Sequence, residues 1–569
     1  MRFAEPLRAL QTLRPLRPIA GAGALALALA ALATTAAGRQ AAGPGPWFEV
    51  EFPAAARAEP VTGRVYVAIS RPGESRTPIQ QASPTGAPLF SVPVEALAPG
   101  QPARIGPAAF GHPVQSLRDL PAGDYVVQPF VNVYTKFERA DGHTVWLHMD
   151  QWEGQDWKRS PGNLFGAPVT VHLDPASPAP IRLTADQVIP PVTVPPDTEF
   201  VKRIRIQSDI LTKWWGHPIY LGATVLLPKG FADHPDARYP VVYSQGHFSL
   251  GAPGGFGRDQ DFTAYWQADD TPRMLYVTLQ HPSPYYDDSY GVNSENNGPY
   301  GDAITRELLP EVERRFRAIG QPWARVLTGG STGGWIAVAH QVFYPDLYGG
   351  TFALCPDSVD FRYHQIVNVY DDANAYWIDR GWMRVERPNQ RRPDGNIQSM
   401  MKDENWYELV VGDRSRSGGQ WDIWEATYSP VGPDGYPRRI WDKRTGEIDH
   451  EVAAYWKAHY DLRNILETNW TTLGPKVAHK LHVYIGDMDS YYLNMGVREL
   501  DEFLRERAVD PPFTGEVVFQ PMAPHCWGPR GADLMGRIAA HVLRYAPAGA
   551  DVRSWRSPGR DRPVTSSGR

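Results

Sequence analysis

Cysteine is nearly absent: Cys355 and Cys526 are the only two in 569 residues, too few for a disulfide-stapled scaffold. One bridge between them suits an exported protein, and two buried free thiols are the alternative. Positive charge is not in excess either. Lys and Arg number 57 against 63 Asp and Glu, for a net charge of −6, which argues against nucleic acid as a partner, since phosphate contacts need clustered basic residues. Long apolar runs are also missing. The longest, Ala20 to Ala33, falls short of the roughly 20 residues that a spanning helix needs. Metal-ligand clusters are thin as well: Asp287 with Asp288, and His143 with His148 and Asp150, read as surface loop residues, and no metal or cofactor is expected.

What the chain does have is an ordinary globular composition, 42% hydrophobic and 21% charged, with 54 Pro and 52 Gly that predict many turns. Its length exceeds what one core usually organises, so two folded domains plus extensions are expected. The beginning carries Arg2, Arg8, Arg14 and Arg17, then the apolar run, then small residues from Thr34 to Gly38. This order predicts a secretory signal over residues 1–37 and a secreted or periplasmic protein; an uncleaved anchor is the alternative. Loss of those four Arg and one Glu would leave a net charge of −9.

Residues 46–175 hold short β-forming runs, such as Val65 to Ile69 and Tyr125 to Val133, between Pro, Gly and Ser clusters, and predict an all-β sandwich. The aromatic stretch from Trp146 to Trp157 reads as packing, with a carbohydrate-binding surface as the alternative. Residues 176–200, rich in Pro and Val, read as an extended linker. From 201 to 546 apolar runs at Ala223 to Leu227, Val241 to Tyr243, Met274 to Leu279, Arg325 to Leu327, Thr351 to Leu354, Leu481 to Ile485 and Glu516 to Phe519 alternate with helical stretches. The helix over Asp302 to Phe316 places Ile304, Leu308, Leu309, Val312 and Phe316 on one face. Such alternation predicts an α/β domain with a doubly wound, mostly parallel sheet. The interval 357–480 interrupts it and reads as a cap, and residues 547–569 read as a disordered tail.

Within that domain Gly329-Gly330-Ser331-Thr332-Gly333 joins an apolar strand to an apolar helix, a turn so tight that its flanks must be glycine and its serine hydroxyl is pushed out above the sheet. A serine hydroxyl needs an imidazole to take its proton and a carboxylate to orient that imidazole. Asp489, past the strand Leu481 to Ile485, is the expected acid, with Asp487 as the alternative. His525, in the loop after the last strand, is the expected base. Backbone N–H groups of Thr332 and of His247 or Phe248 are the expected oxyanion donors.

Over roughly residues 200 to 545 the chain resembles the "Putative esterase" (esterase D-like) family of α/β-hydrolases, which includes feruloyl, acetylxylan and enterochelin esterases. The likeness is strongest over Asn293-Ser294-Glu295-Asn296-Asn297-Gly298-Pro299-Tyr300-Gly301-Asp302 and the Ser331 turn. It implies Ser331, Asp489 and His525 as a triad that hydrolyses a small-molecule or carbohydrate-linked ester through an acyl-enzyme, with no cofactor. A β-domain ahead of the hydrolase resembles enterochelin esterases. One departure is Gln245-Gly246-His247, where the family usually has His-Gly. The same triad could serve an acyltransferase or a peptidase, and an inactive binding protein is the reading from another class.

Overall fold

Runs of Val, Leu, Ile and Tyr build an eight-stranded sheet in the computed structural model, which describes residues 45–148, 152, 156–177 and 179–556. Numbering the strands of this sheet alone, they are β1 (Val201–Gln207), β2 (Tyr220–Leu226), β3 (Val241–Gln245), β4 (Leu275–Gln280), β5 (Arg325–Gly330), β6 (Gly350–Leu354), β7 (Leu481–Gly486) and β8 (Glu516–Gln520). Their order is β1-β2-β4-β3-β5-β6-β7-β8. β1 and β4 pair with β2 antiparallel, and every other neighbouring pair is parallel. β2, β3, β4 and β6 are almost wholly buried, as expected of strands covered on both faces. β1 differs. Its sequence, VKRIRIQ, alternates charged and aliphatic residues at the sheet edge, and this weak apolar signal is why it is absent from the runs read above.

Helical segments at Tyr300–Ala303, Ile304–Leu308 and Leu309–Arg315 follow one another, the middle one wound as a π-turn. Pro310 has no N–H to give to the preceding turn, which disfavours a regular α ladder there. The helix Thr332–Phe343 is buried over nearly its whole length, and the helices Asn494–Glu506 and Gly531–Tyr545 complete the covering of the sheet.

Ahead of β1, a three-stranded sheet and an eight-stranded sheet enclose their own core of residues such as Phe48, Val50, Val65, Val67, Val127 and Val131. This is a β-sandwich. It reaches further than expected: Pro180–Thr184 pairs in parallel with Trp47–Glu51, and Gln187–Val188 pairs with Leu164–Phe165. The expected linker over 176–200 therefore supplies two strands. Pro180 is tolerated because it begins an edge strand, where a missing N–H breaks no interior ladder.

The interval 357–480 folds into helices at Met401–Val411, Gln420–Tyr428, His450–His459, Leu462–Thr468 and Trp470–Val477, with two small hairpins. It meets the sandwich through a third apolar cluster that joins Tyr66, Phe130 and Trp157 to Val410 and Val411, and Tyr66 donates its hydroxyl to Val411 O at 2.5 Å. All described residues fall in one compact unit. The tail reading also needs correction. Trp555 is fully buried in the main core, and its carbonyl accepts the Arg273 N–H at 2.8 Å, so one large aromatic anchor fixes residues 547–556 despite their polar composition. The expected signal segment, and residues 557–569, lie outside the described residues. Among the described residues no helix is long and apolar enough to cross a membrane.

Candidate active site

The turn at Ser331 is set by covalent geometry. β5 ends at Gly330 and the helix begins at Thr332, so one residue must reverse the chain, and Ser331 takes φ 56° and ψ −123°. That backbone is unfavourable for a residue with a Cβ and recurs where function holds it. Gly333 is required by contact: a Cβ there would lie 2.0 Å from Gln245 O, so the end of β3 presses against the helix start. Thr332 N–H, the first of the helix, is one of the donors that have no intrahelical partner. His247, just past β3, lines the same cavity as Ser331 and His525.

β7 delivers Asp489. Its side chain is sealed from solvent; Oδ1 accepts the N–H groups of Tyr491 at 2.9 Å and Leu493 at 3.3 Å, and Oδ2 meets His525 Nδ1 at 2.7 Å. Asp487 faces elsewhere and accepts Met522 N–H at 2.7 Å, bracing the loop that carries His525. Of the two acids considered, Asp489 is the one paired with the histidine.

Cys355 and Cys526 form a disulfide that ties the end of β6 to the histidine loop. Cys355 Sγ lies 3.2 Å from Ser331 N and 4.0 Å from His525 Nε2, so serine and histidine flank one sulfur. Tyr491 stands edge-on to the imidazole with ring centres 4.8 Å apart.

Sequence reasoning missed Asp357. Its carboxylate is 3% exposed and accepts the Ser331 hydroxyl on Oδ1 at 3.2 Å. On Oδ2 it accepts Tyr290 OH at 2.6 Å, Thr332 Oγ1 at 3.1 Å and Gln420 Nε2 at 3.4 Å. Burial pushes this carboxyl up, and the Tyr290 and Thr332 hydroxyls pull against it. A signal was available: Asp357 stands at the carboxyl end of a central parallel strand, where ligands bind in such sheets.

The cavity over Ser331 has a volume of about 680 Å³. The cap lines it with Trp421, Trp424 and Gln420, and the sandwich with Trp157, Lys158 and Arg159. The aromatic stretch from Trp146 to Trp157 thus divides. Trp152 packs on Phe248 at 5.2 Å, whereas Trp157 stacks on Tyr66 at 4.7 Å with an edge in the cavity.

The residues weighed as metal ligands are not plain surface residues. Asp288 and His148 are buried, and Asp150 lies outside the described residues. His148 Nε2 bonds Arg416 O at 2.7 Å, and burial lowers its pKa to about 4. His247 Nδ1 lies 3.0 Å from Asp287 Oδ1 and 3.3 Å from Asp288 Oδ2. Loss of solvent opposes charge on this imidazole, but the bonds to Asp287 and Asp288 outweigh it and hold its pKa well above 6.5. His247 Nδ1 thus lies between two carboxylates, within hydrogen-bond distance of both.

A mostly parallel eight-stranded sheet of this order, with a strained serine turn between β5 and its helix, is the α/β-hydrolase fold. Residues 220–459, from β2 into the cap, match the family described as "Putative esterase", and this match supports a hydrolase. No curated protein matches the chain. Among solved structures it is similar to a ferulic acid esterase, at 16% identity over 57% of this chain and 92% of the other, with a TM-score of 0.33. An S-formylglutathione hydrolase from Agrobacterium tumefaciens is 13% identical over 61% of this chain and 97% of the other, at a TM-score of 0.34. A fluorophosphonate-binding serine hydrolase of Staphylococcus aureus is 13% identical over 60% and 98%, at 0.33.

Proposed function

We propose that the protein is an exported serine esterase in which Ser331, His525 and Asp489 act as a triad, within a catalytic domain over 201–546 capped by 357–480. The observation that carries this reading is the 2.7 Å bond from His525 to the sealed Asp489, beside a serine held at φ 56° that lines the same cavity. Asp489 fixes Nδ1 as the protonated nitrogen and leaves Nε2 as the base. When an ester enters, the Ser331 hydroxyl leaves Asp357 for Nε2, His525 takes its proton, and Oγ adds to the carbonyl carbon. The alcohol departs with that proton, and water activated by His525 releases the acid. Thr332 N–H, with the backbone N–H of His247 or Phe248, receives the oxyanion.

The cavity suits a substrate with a polar, ring-bearing part. Trp157, Trp421 and Trp424 offer flat apolar faces, and Gln365, Asn389 and Gln390 offer amides, which supports a small-molecule or carbohydrate-linked ester. Export rests on the basic, apolar and small-residue order of residues 1–37. The test is labelling by a fluorophosphonate probe, alongside hydrolysis of p-nitrophenyl and feruloyl esters. Ser331→Ala and His525→Ala are expected to abolish labelling and lower kcat by roughly four to six orders of magnitude. Unlabelled wild-type protein, or full activity in Ser331→Ala, would overturn the proposal.

A further inference from the structure

Asp357 has a donor count that changes during the reaction just described. Its Oδ2 is saturated by Tyr290, Thr332 and Gln420. The Tyr290 oxygen itself accepts Trp424 Nε1–H at 2.7 Å and an N–H of Gln420, which leaves its one proton for Asp357. Among the described residues Oδ1 has a single donor, the hydroxyl of Ser331. That donor disappears when Ser331 gives up its proton and Oγ bonds the acyl carbon, and it returns only when the acyl group leaves. For the whole life of the acyl-enzyme, a buried carboxylate oxygen faces the bound acyl group without its partner. A buried acceptor left unpaired is costly, and a site built this way favours the substrate that pairs it.

The alcohol has gone by then, so the acyl group is the part of the substrate that remains to supply a donor. Its first carbon beyond the carbonyl is close to Oγ in the covalent chain, and a hydroxyl or ammonium there is within reach of an acceptor 3.2 Å from Oγ. We propose that Asp357 is a specificity residue that accepts a hydrogen bond from a donor on that carbon, so that the enzyme prefers α-hydroxy and α-amino acyl esters. This rests on the esterase reading of Ser331.

Asp357→Asn is an informative variant. Three donors converge on Oδ2, so the amide oxygen must take that place, and the NH2 then replaces the acceptor that faced Ser331. The experiment measures kcat/KM for the ethyl esters of propanoic acid, lactic acid and alanine, with fluorophosphonate labelling in parallel. Wild type is expected to favour lactate or alanine over propanoate by about tenfold or more, and the favoured ester identifies hydroxyl or ammonium as the donor. In Asp357→Asn the alanine preference is expected to be lost and that for lactate to fall, with Ser331 still labelled. A wild-type ratio near 1 overturns the inference whatever the variant does. So does a ratio retained in Asp357→Asn, or inactivity of that variant toward all three esters, which would assign Asp357 to holding the nucleophile. A labelled wild type without preference sinks this inference alone, whereas an unlabelled wild type sinks the esterase reading with it.

Discussion

His525 Nδ1 lies 2.7 Å from Oδ2 of Asp489, while Oδ1 of the same carboxylate is claimed by two backbone N–H groups. This division dictates what Asp489→Asn must do. The amide oxygen has to remain with the Tyr491 and Leu493 N–H groups, so the NH2 turns toward His525 and can only donate to Nδ1. The imidazole then carries its proton on Nε2 and cannot act as base. A fall in kcat of roughly 10⁴ is expected, with the thermal unfolding midpoint little changed. Asp487→Asn keeps an oxygen for Met522 N–H and is expected to lose less than about tenfold. Steady-state kinetics of the two variants checks the assignment; the reverse ranking would move the acid to Asp487.

The Cys355–Cys526 bridge spans 171 residues of sequence, so in the unfolded chain it removes a large share of loop freedom, worth a few kcal/mol. It also fixes the loop that holds His525. Replacement of both cysteines by alanine is expected to lower the thermal midpoint by about 5–10 °C and to reduce kcat. Thermal melts with and without dithiothreitol check this. Wild type should shift on reduction and the double variant should not.

Strands β2 to β7 were legible because strands covered on both faces are continuous apolar runs, and the edge strand β8 was legible because Val517, Val518 and Phe519 stand together in its short sequence. Ser331, Asp489 and His525 could be picked out as candidates because each follows one of these runs. β1 was not, since its edge position permits alternating Lys and Arg. The Asp357 network was hidden for another reason. Tyr290, Gln420 and Trp424 meet Asp357 and Ser331 only after the cap folds back over the sheet, and no short spacing in the sequence encodes that contact. Trp157 was hidden likewise, because its cavity edge depends on the sandwich reaching across to the cap. The cysteine pairing was open in the sequence and is resolved by where β6 and the histidine loop end.

His364 sits among aromatic rings, with Trp424 at 4.5 Å and Trp456 at 5.2 Å, and among the described residues neither of its ring nitrogens has a hydrogen-bond partner. Burial lowers its pKa from 6.5 to about 3. The folded state holds it neutral while the unfolded chain takes up a proton below 6.5. Its contribution is therefore complete above pH 6.5 and is lost as pH falls from 6.5 toward 3. Between pH 7 and pH 5 this costs about 2 kcal/mol. His364→Leu should show a smaller loss of stability over that interval, with no loss at pH 7 beyond about 1 kcal/mol. Thermal or urea unfolding at the two pH values measures it; an unchanged pH dependence would mean that His364 is not the group held neutral.

The backbone of Ser331, at φ 56° and ψ −123°, makes a prediction that is independent of chemistry. Glycine adopts this conformation without the clash that any Cβ brings, so the strain should be measurable as stability. Ser331→Ala and Ser331→Gly both remove the hydroxyl and its bond to Asp357, and they differ only in the Cβ. Ser331→Gly is expected to be more stable than Ser331→Ala by about 1 kcal/mol, even though glycine ordinarily costs stability through unfolded-chain freedom. Parallel denaturant titrations of the two inactive variants give the difference directly. A less stable glycine variant would mean that the fold meets the serine conformation at no cost, and that the turn is held for reasons other than presenting the hydroxyl.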